Sequence, residues 1–220
     1  MKTLGVTQFL SKKFKLLGIS GKWQQTLGHL PHGFVGIVYG ESGNGKTEFL
    51  IQLAKYLTKF GKVAWLSYEQ RHGYDLQRAV ERNKLQDVSG DFVIVDPLAK
   101  ITDRSKLFEA LLKEMGKRNS PQFFVIDSYD YVNFTKEQYQ ELRNKYADRK
   151  GIIFVSHCKG KKPRKAVAEY IEYDGGFSIY VKHFIAHVVK SRFSGFEPYI
   201  IWEEKARERN PLFFKQPEQA

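Results

Sequence analysis

Cysteine is almost missing from this chain. Cys158 is the only one, so no internal disulfide can form, and the composition suits a reducing cytoplasm. Long hydrophobic runs are missing too: none approaches a membrane span, and Met1-Lys2-Thr3-Leu4-Gly5-Val6 holds no signal-peptide core. There is no repeat and no low-complexity linker, which predicts one α/β domain of ordinary size. Acidic residues are scarce relative to basic ones. Asp and Glu number 24 against 36 Lys and Arg, and the net charge is +12. Such a surplus favours a polyanionic partner, most often nucleic acid. An anionic membrane is the weaker alternative, because no basic amphipathic helix stands out. Lys12, Lys13 and Lys15, set among Phe9, Leu10, Phe14 and Leu16, come closest and read as an interaction arm or a docked first helix. Hydrophobic residues still make up 42% of the 220, enough for a sizeable core.

Gly40-Glu41-Ser42-Gly43-Asn44-Gly45-Lys46-Thr47 fits G-x-x-x-x-G-K-[ST]. The apolar run from Phe34 to Tyr39 precedes it and reads as a buried strand. Phe49, Leu50, Leu53, Ala54 and Leu57 follow at helical spacing. Strand, glycine loop and helix together define a phosphate-binding loop. The glycines let successive backbone N–H groups turn inward, and the helix aims its positive end at the anion. Glu41, Ser42, Gly43, Asn44, Gly45, Lys46, Thr47 and Glu48 are therefore the candidate cradle for the phosphates of ATP. Lys46 supplies the cation for the outer phosphates, and the Thr47 hydroxyl ligates Mg²⁺.

Beyond the loop, Val63–Ser67, Phe92–Val95, Phe123–Asp127 and Ile152–Ser156 read as strands. Helical stripes lie between them at Leu76/Ala79/Val80, Leu107/Phe108/Leu111/Leu112/Met115 and Tyr139/Leu142/Tyr146. This alternation predicts a mostly parallel sheet with helices on both faces. Phe184–Lys190 and Tyr199–Trp202 read as adjacent strands around Ser194-Gly195, an antiparallel C-terminal edge.

Several residues at strand ends bear chemistry. Asp127 closes a buried strand and is placed either to hold Mg²⁺ through water or simply to cap a turn. Glu69, just past the strand after the glycine loop, either orients the attacking water or is a solvated carboxylate. His157 ends another strand, where it donates to a γ-phosphate or merely caps the surface. The stretch Cys158–Lys165 carries Lys159, Lys161, Lys162, Arg164 and Lys165, and Gly160 and Pro163 suggest a loop. That density of charge makes a phosphate-contact patch for nucleic acid, unless it is only solvated. Tyr170 and Tyr173 follow and either stack on bases or pack. Lys190 and Arg192, two apart on a strand end, share one side and can reach a nucleotide on a neighbouring subunit, unless they are an ordinary edge pair.

Together these elements resemble the RecA-like ATPases, in particular the RadA, DnaB and KaiC branch, from about Gly18 to Trp202. Gly18-Ile19 and Leu27-Gly28-His29-Leu30-Pro31-His32-Gly33 are similar to the lead-in of RadA and KaiC, with His29 in place of its second glycine. Leu66-Ser67-Tyr68-Glu69 sits where that family keeps its catalytic glutamate. Ile126-Asp127-Ser128 matches its magnesium aspartate, and Val155–Gly160 its γ-phosphate-sensing histidine. Lys190-Ser191-Arg192-Phe193 resembles the trans-acting Lys-x-Arg fingers, with Ser194 set in before Gly195. The resemblance implies a RecA-like fold and an Mg-dependent ATPase working on single-stranded DNA as a helicase or recombination motor. It implies catalytic roles for Lys46, Glu69, His157, Lys190 and Arg192, and a ring or filament with ATP at subunit interfaces. It also implies two DNA-facing segments, Ser128–Asn133, which holds no cation, and Cys158–Tyr173. With no zinc-finger cysteines and no accessory domain, the chain reads as a bare motor core over 18–205. A basic arm over 1–17 and a tail over 206–220 flank it, and a protein partner stands in for the accessory parts. The alternative is a nucleotide-gated scaffold or loader that turns over slowly or not at all. A KaiC-like signalling ATPase is a third reading, against which the basic stretch counts.

Overall fold

A computed structural model describes residues 3–101 and 103–215. In chain order the elements are α1 (Val6–Leu10), α2 (Gly21–Leu27), β1 (Phe34–Gly40), α3 (Lys46–Leu57), β2 (Val63–Ser67) and α4 (Tyr74–Arg82). Next come β3 (Phe92–Val95), α5 (Leu107–Gly116), β4 (Phe123–Asp127), α6 (Tyr129–Val132) and α7 (Lys136–Tyr146). The chain continues through β5 (Gly151–Lys159), β6 (Lys162–Pro163), α8 (Ala166–Asp174), β7 (Phe177–Lys182), β8 (Ile185–Ser191), β9 (Tyr199–Ile200) and α9 (Glu203–Arg209).

One sheet runs β3-β2-β4-β5-β1-β7-β8-β9, and β6 turns back on β5. The pairs from β3 to β7 are parallel, whereas β7–β8 and β8–β9 are antiparallel. Every residue of β1, β2 and β4 is buried, as a parallel strand covered on both faces requires. One face carries Trp23, Phe49, Leu53 and Leu57 from α2 and α3; the other carries Leu111, Tyr139, Leu142 and Ile171 from α5, α7 and α8. The expected fold class, parallel sheet with an antiparallel C-terminal edge, is the fold observed. All the expected strands form.

Two features differ from the sequence reading. Phe177–Lys182 is a strand that the reading passed over. It lies between β1 and β8, so the antiparallel edge is one strand wider. Its buried Phe177, Ile179 and Val181 alternate with period two, the signal that could have found it. The stretch after Cys158, expected as a loop reaching Tyr173, is instead a tight hairpin, β5–β6, followed at once by α8. Ala168 and Ile171 bury one side of that helix, and this packing overrides the local charge. At the N terminus α1 buries nothing, and the buried core begins at Leu17. At the other end, the segment expected as a tail from 206 starts inside α9, where Ala206 is fully buried; residues 216–220 lie outside the described part.

Candidate nucleotide site

The phosphate loop hangs between the end of β1 and the start of α3. Gly45 is left-handed, φ 100°, and a Cβ there would come within 2.8 Å of the Phe184 ring, so only glycine suits the position. The Lys46 ammonium folds over the loop and donates to the carbonyls of Gly40 at 2.8 Å and Glu41 at 2.9 Å. Burial lowers its pKa, opposed first by the nearby charge of Glu69. Asn44 does a job that the sequence did not show. Its side-chain oxygen accepts from His183 N at 2.8 Å and its carbonyl accepts from Phe184 N at 3.0 Å, latching the loop to the β7–β8 turn. Glu48 is likewise only partly what was expected. Arg82 and Asn83 hold its carboxylate, so its backbone N–H in the first turn of α3 is the part left for an anion.

A cleft of about 330 Å³ opens over the loop. It is lined by Ser42, Gly43, Gly45, Lys46, Thr47 and Glu48, and also by Glu69, Asp127 and His157 from three different strand ends. The parallel register explains the convergence. Ser67 pairs with Asp127 at the level of Val155, and Gly40 pairs with His157 two residues further on, so Glu69, two past Ser67, reaches the height of His157. The Asp127 carbonyl accepts from Tyr68 N at 2.6 Å and Glu69 N at 3.1 Å, which fixes the turn that presents Glu69.

Glu69 Oε1 lies 3.3 Å from His157 Nε2. The contact pulls the Glu69 pKa down and pushes that of His157 up, since each favours the other's charged form. Asp127 is pushed up to about 7, first by complete burial and then by the charge of Glu69, while Lys46 opposes the shift.

Ser67 Oγ, Gln70 Oε1, Asp127 Oδ2 and Ser128 Oγ, on residues at and just past the ends of β2 and β4, are buried without a hydrogen-bond partner. Buried polar atoms are ordinarily satisfied. Oxygen donors with a single neighbouring carboxylate suit Mg²⁺, which keeps its waters and takes few protein ligands. Among the described residues no group of three or more His, Cys, Asp or Glu is placed to hold a metal ion.

The cleft also holds residues that sequence reasoning missed: Gln70, Arg82, Phe184, Trp202 and Lys205. The Lys205 ammonium sits 4.1 Å from the centre of the Trp202 ring, and Phe184 meets Trp202 edge-on at 6.2 Å. Phe184, Trp202 and Lys205 arrive from the far end of the chain, so no local pattern announces them.

The other expected residues lie elsewhere. Lys159, Lys161, Lys162 and Arg164 are exposed on the hairpin that follows His157, but Lys165 is engaged, donating to Asp130 O and Asn133 Oδ1. Tyr170 packs on Tyr139, while Tyr173 is exposed. Lys190 and Arg192 stand at the opposite end of the sheet from the phosphate loop, because β8 runs antiparallel and Ser191 pairs with Phe177 at the start of β7. Lys190 donates to the carbonyls of Glu172 and Tyr173 and closes the end of α8. Ser191 ends β8, and Arg192 lies beyond it.

Fold and site define a P-loop protein with the RecA-like α/β fold. Solved structures similar to it include the KaiC-like protein PH0186 from Pyrococcus horikoshii OT3, at 18% identity and TM-score 0.60 over 85% of this chain and 93% of that one. The flagellar accessory protein FlaH from Methanocaldococcus jannaschii is similar too, at 17% identity and TM-score 0.56 over 86% and 97%. No protein-family model matches the chain, and no curated protein matches it. At these identities the likeness shows the fold alone, a RecA-like α/β core.

Proposed function

We propose that this chain binds Mg·ATP in the loop cleft and hydrolyses it, and that the basic hairpin engages single-stranded DNA. One observation carries the reading. Lys46, Asp127 and the Glu69–His157 pair, far apart in sequence, meet in one cleft over a phosphate loop. Lys46 and the N–H groups opening α3 hold the phosphates. Glu69 stays ionised at neutral pH and accepts the proton of the attacking water. His157, beside Glu69, donates to the γ-phosphate. Thr47 and Asp127 are the residues that would hold Mg²⁺, whose chemistry when bound is to neutralise the phosphate oxygens.

Lys190 and Arg192 serve a neighbour's nucleotide in an oligomer; their distance from their own loop supports this. The exposed cations on the hairpin directly after His157 support a DNA role. Among the described residues no helix is long and apolar enough to cross a membrane. A cytoplasmic ATPase working with DNA suits that observation and the single cysteine. The slow or silent scaffold keeps support from two contacts: His157 already holds Glu69, and α8 already holds Lys190. FlaH, an accessory protein by name, is similar in fold. Steady-state phosphate release with and without single-stranded DNA separates the two. Stimulation supports the motor, and a flat low rate the scaffold.

A further inference from the structure

Asp130, on α6, has no role in the reading above, yet it holds the residue on which that reading turns. One carboxylate oxygen accepts from the backbone N–H of His157 at 2.8 Å and from the Ser156 hydroxyl at 3.0 Å. The other carboxylate oxygen is buried without a partner. The Asp130 carbonyl accepts from the Lys165 ammonium at 3.0 Å, and Lys165 also donates to Asn133 Oδ1 at 3.1 Å. The loop closes on His157 itself, whose carbonyl accepts from Arg164 N at 2.9 Å. His157 is therefore held at both backbone atoms, by Asp130 on one side and by the returning arm of the basic hairpin on the other.

We infer that Asp130 is a positioning residue: it aims the His157 ring at Glu69 and, through Lys165, ties that geometry to the basic hairpin. The inference rests on the reading of Glu69 and His157 as the γ-phosphate side of the site. Without an acceptor at Asp130 the His157 N–H is orphaned at a strand end, and the strand must shift to find water. The hairpin cannot move alone either, because the Arg164 N–H is bonded to the His157 carbonyl. Lys165 reaches the carbonyl of Asp130 and not its carboxylate, so the tie leaves the charge facing His157 intact. A pull on Lys159, Lys161, Lys162 or Arg164 is thereby transmitted to His157, and a shift of His157 to the hairpin. Contacts of this kind matter because a misplacement of about 1 Å costs roughly 100-fold in rate.

Amide hydrogen exchange on the whole chain, with and without Mg and the slowly hydrolysed thio analogue of ATP, tests the inference without relying on turnover or DNA. In the wild type the nucleotide should slow exchange in 41–48 and again in 157–165. Asp130→Ala and Lys165→Met should keep the first protection and lose the second by about tenfold in rate. Asp130→Asn should restore most of it, since its amide oxygen accepts the same N–H. Hydrolysis by Asp130→Ala should fall with KM unchanged. If the nucleotide still protects 157–165 in both variants as in the wild type, the relay is wrong and the ATP site stands. Should Asp130→Ala not fold, Lys165→Met, at a half-buried position, decides. If the wild type shows no protection even in 41–48, the nucleotide reading itself fails, and the relay fails with it.

Discussion

Glu69→Gln separates charge from shape at the centre of the site. The amide fills the same space and keeps an oxygen facing His157 Nε2, 3.3 Å away, but it cannot take a proton. Loss of a positioned general base costs about 10² to 10⁴ in turnover. That is about 3 to 5 kcal/mol of transition-state stabilisation at roughly 1.4 kcal/mol per factor of ten. Binding should survive, because Glu69 follows β2 while the phosphate cradle is built by β1 and α3. Folding stability should change little, for two opposing reasons. The charged contact with His157 is lost, and with side chains 27% and 25% exposed it is worth about 1 kcal/mol at most. In return the repulsion of Asp127 is relieved. Asp127 is held up at about 7, so above its unfolded pKa its ionised form costs stability, and removing the Glu69 charge lowers that cost. The net shift in Tm should stay within about 2–4 °C, the size expected for 1 kcal/mol in a chain of this length. Phosphate release at saturating ATP, titration with a fluorescent ATP analogue and a thermal melt measure the three quantities. Wild-type turnover in this variant would refute the assignment, and so would a loss of binding equal to the loss of rate.

Lys46→Ala should abolish productive ATP binding or turnover, since the phosphates lose their nearest cation; unchanged hydrolysis removes the whole reading. Alanine at Lys159, Lys161, Lys162 and Arg164 should weaken DNA binding alike for all sequences and flatten the salt slope by roughly 0.7 per lost phosphate contact on a single strand. A slope that does not move shows the hairpin to be only solvated. Asn44→Ala should cost about 1–3 kcal/mol, because His183 N–H loses its acceptor; a melt at the wild-type temperature means that the latch is not needed. Arg192→Ala should keep ATP binding and lower hydrolysis. Mixed with Glu69→Gln it should regain activity, since some interfaces then carry both intact halves; co-assembly without recovery rules out action in trans.

Much of the architecture was legible in the sequence because it is local. The glycine loop needs residues of one type at one spacing; its strand is marked by a continuous apolar run and its helix by a stripe of period 3.6. Asp127, Glu69 and His157 could be picked out because each directly follows an apolar run. The parallel sheet followed from the alternation of strands and helices, and the antiparallel edge from two strands on either side of Ser194-Gly195. Strand β7 was missed although Phe177, Ile179 and Val181 alternate, because the charges before it drew the reading toward a long loop.

Only the tertiary structure decided which of these ends meet. The parallel register, not sequence distance, sets Glu69, two residues past Ser67, at the level of His157 and within 3.3 Å of it, with Asp127 buried beside them. The Asn44 latch, the diversion of Glu48 to Arg82 and Asn83, and the arrival of Phe184, Trp202 and Lys205 at the cleft are contacts between distant segments, and no periodicity records those. The same holds for the hairpin. Its charges were visible in the chain, but the ring of bonds through Asp130, His157, Arg164 and Lys165 exists only because β5 runs past the end of β4 beside α6, where its N–H groups must find other acceptors.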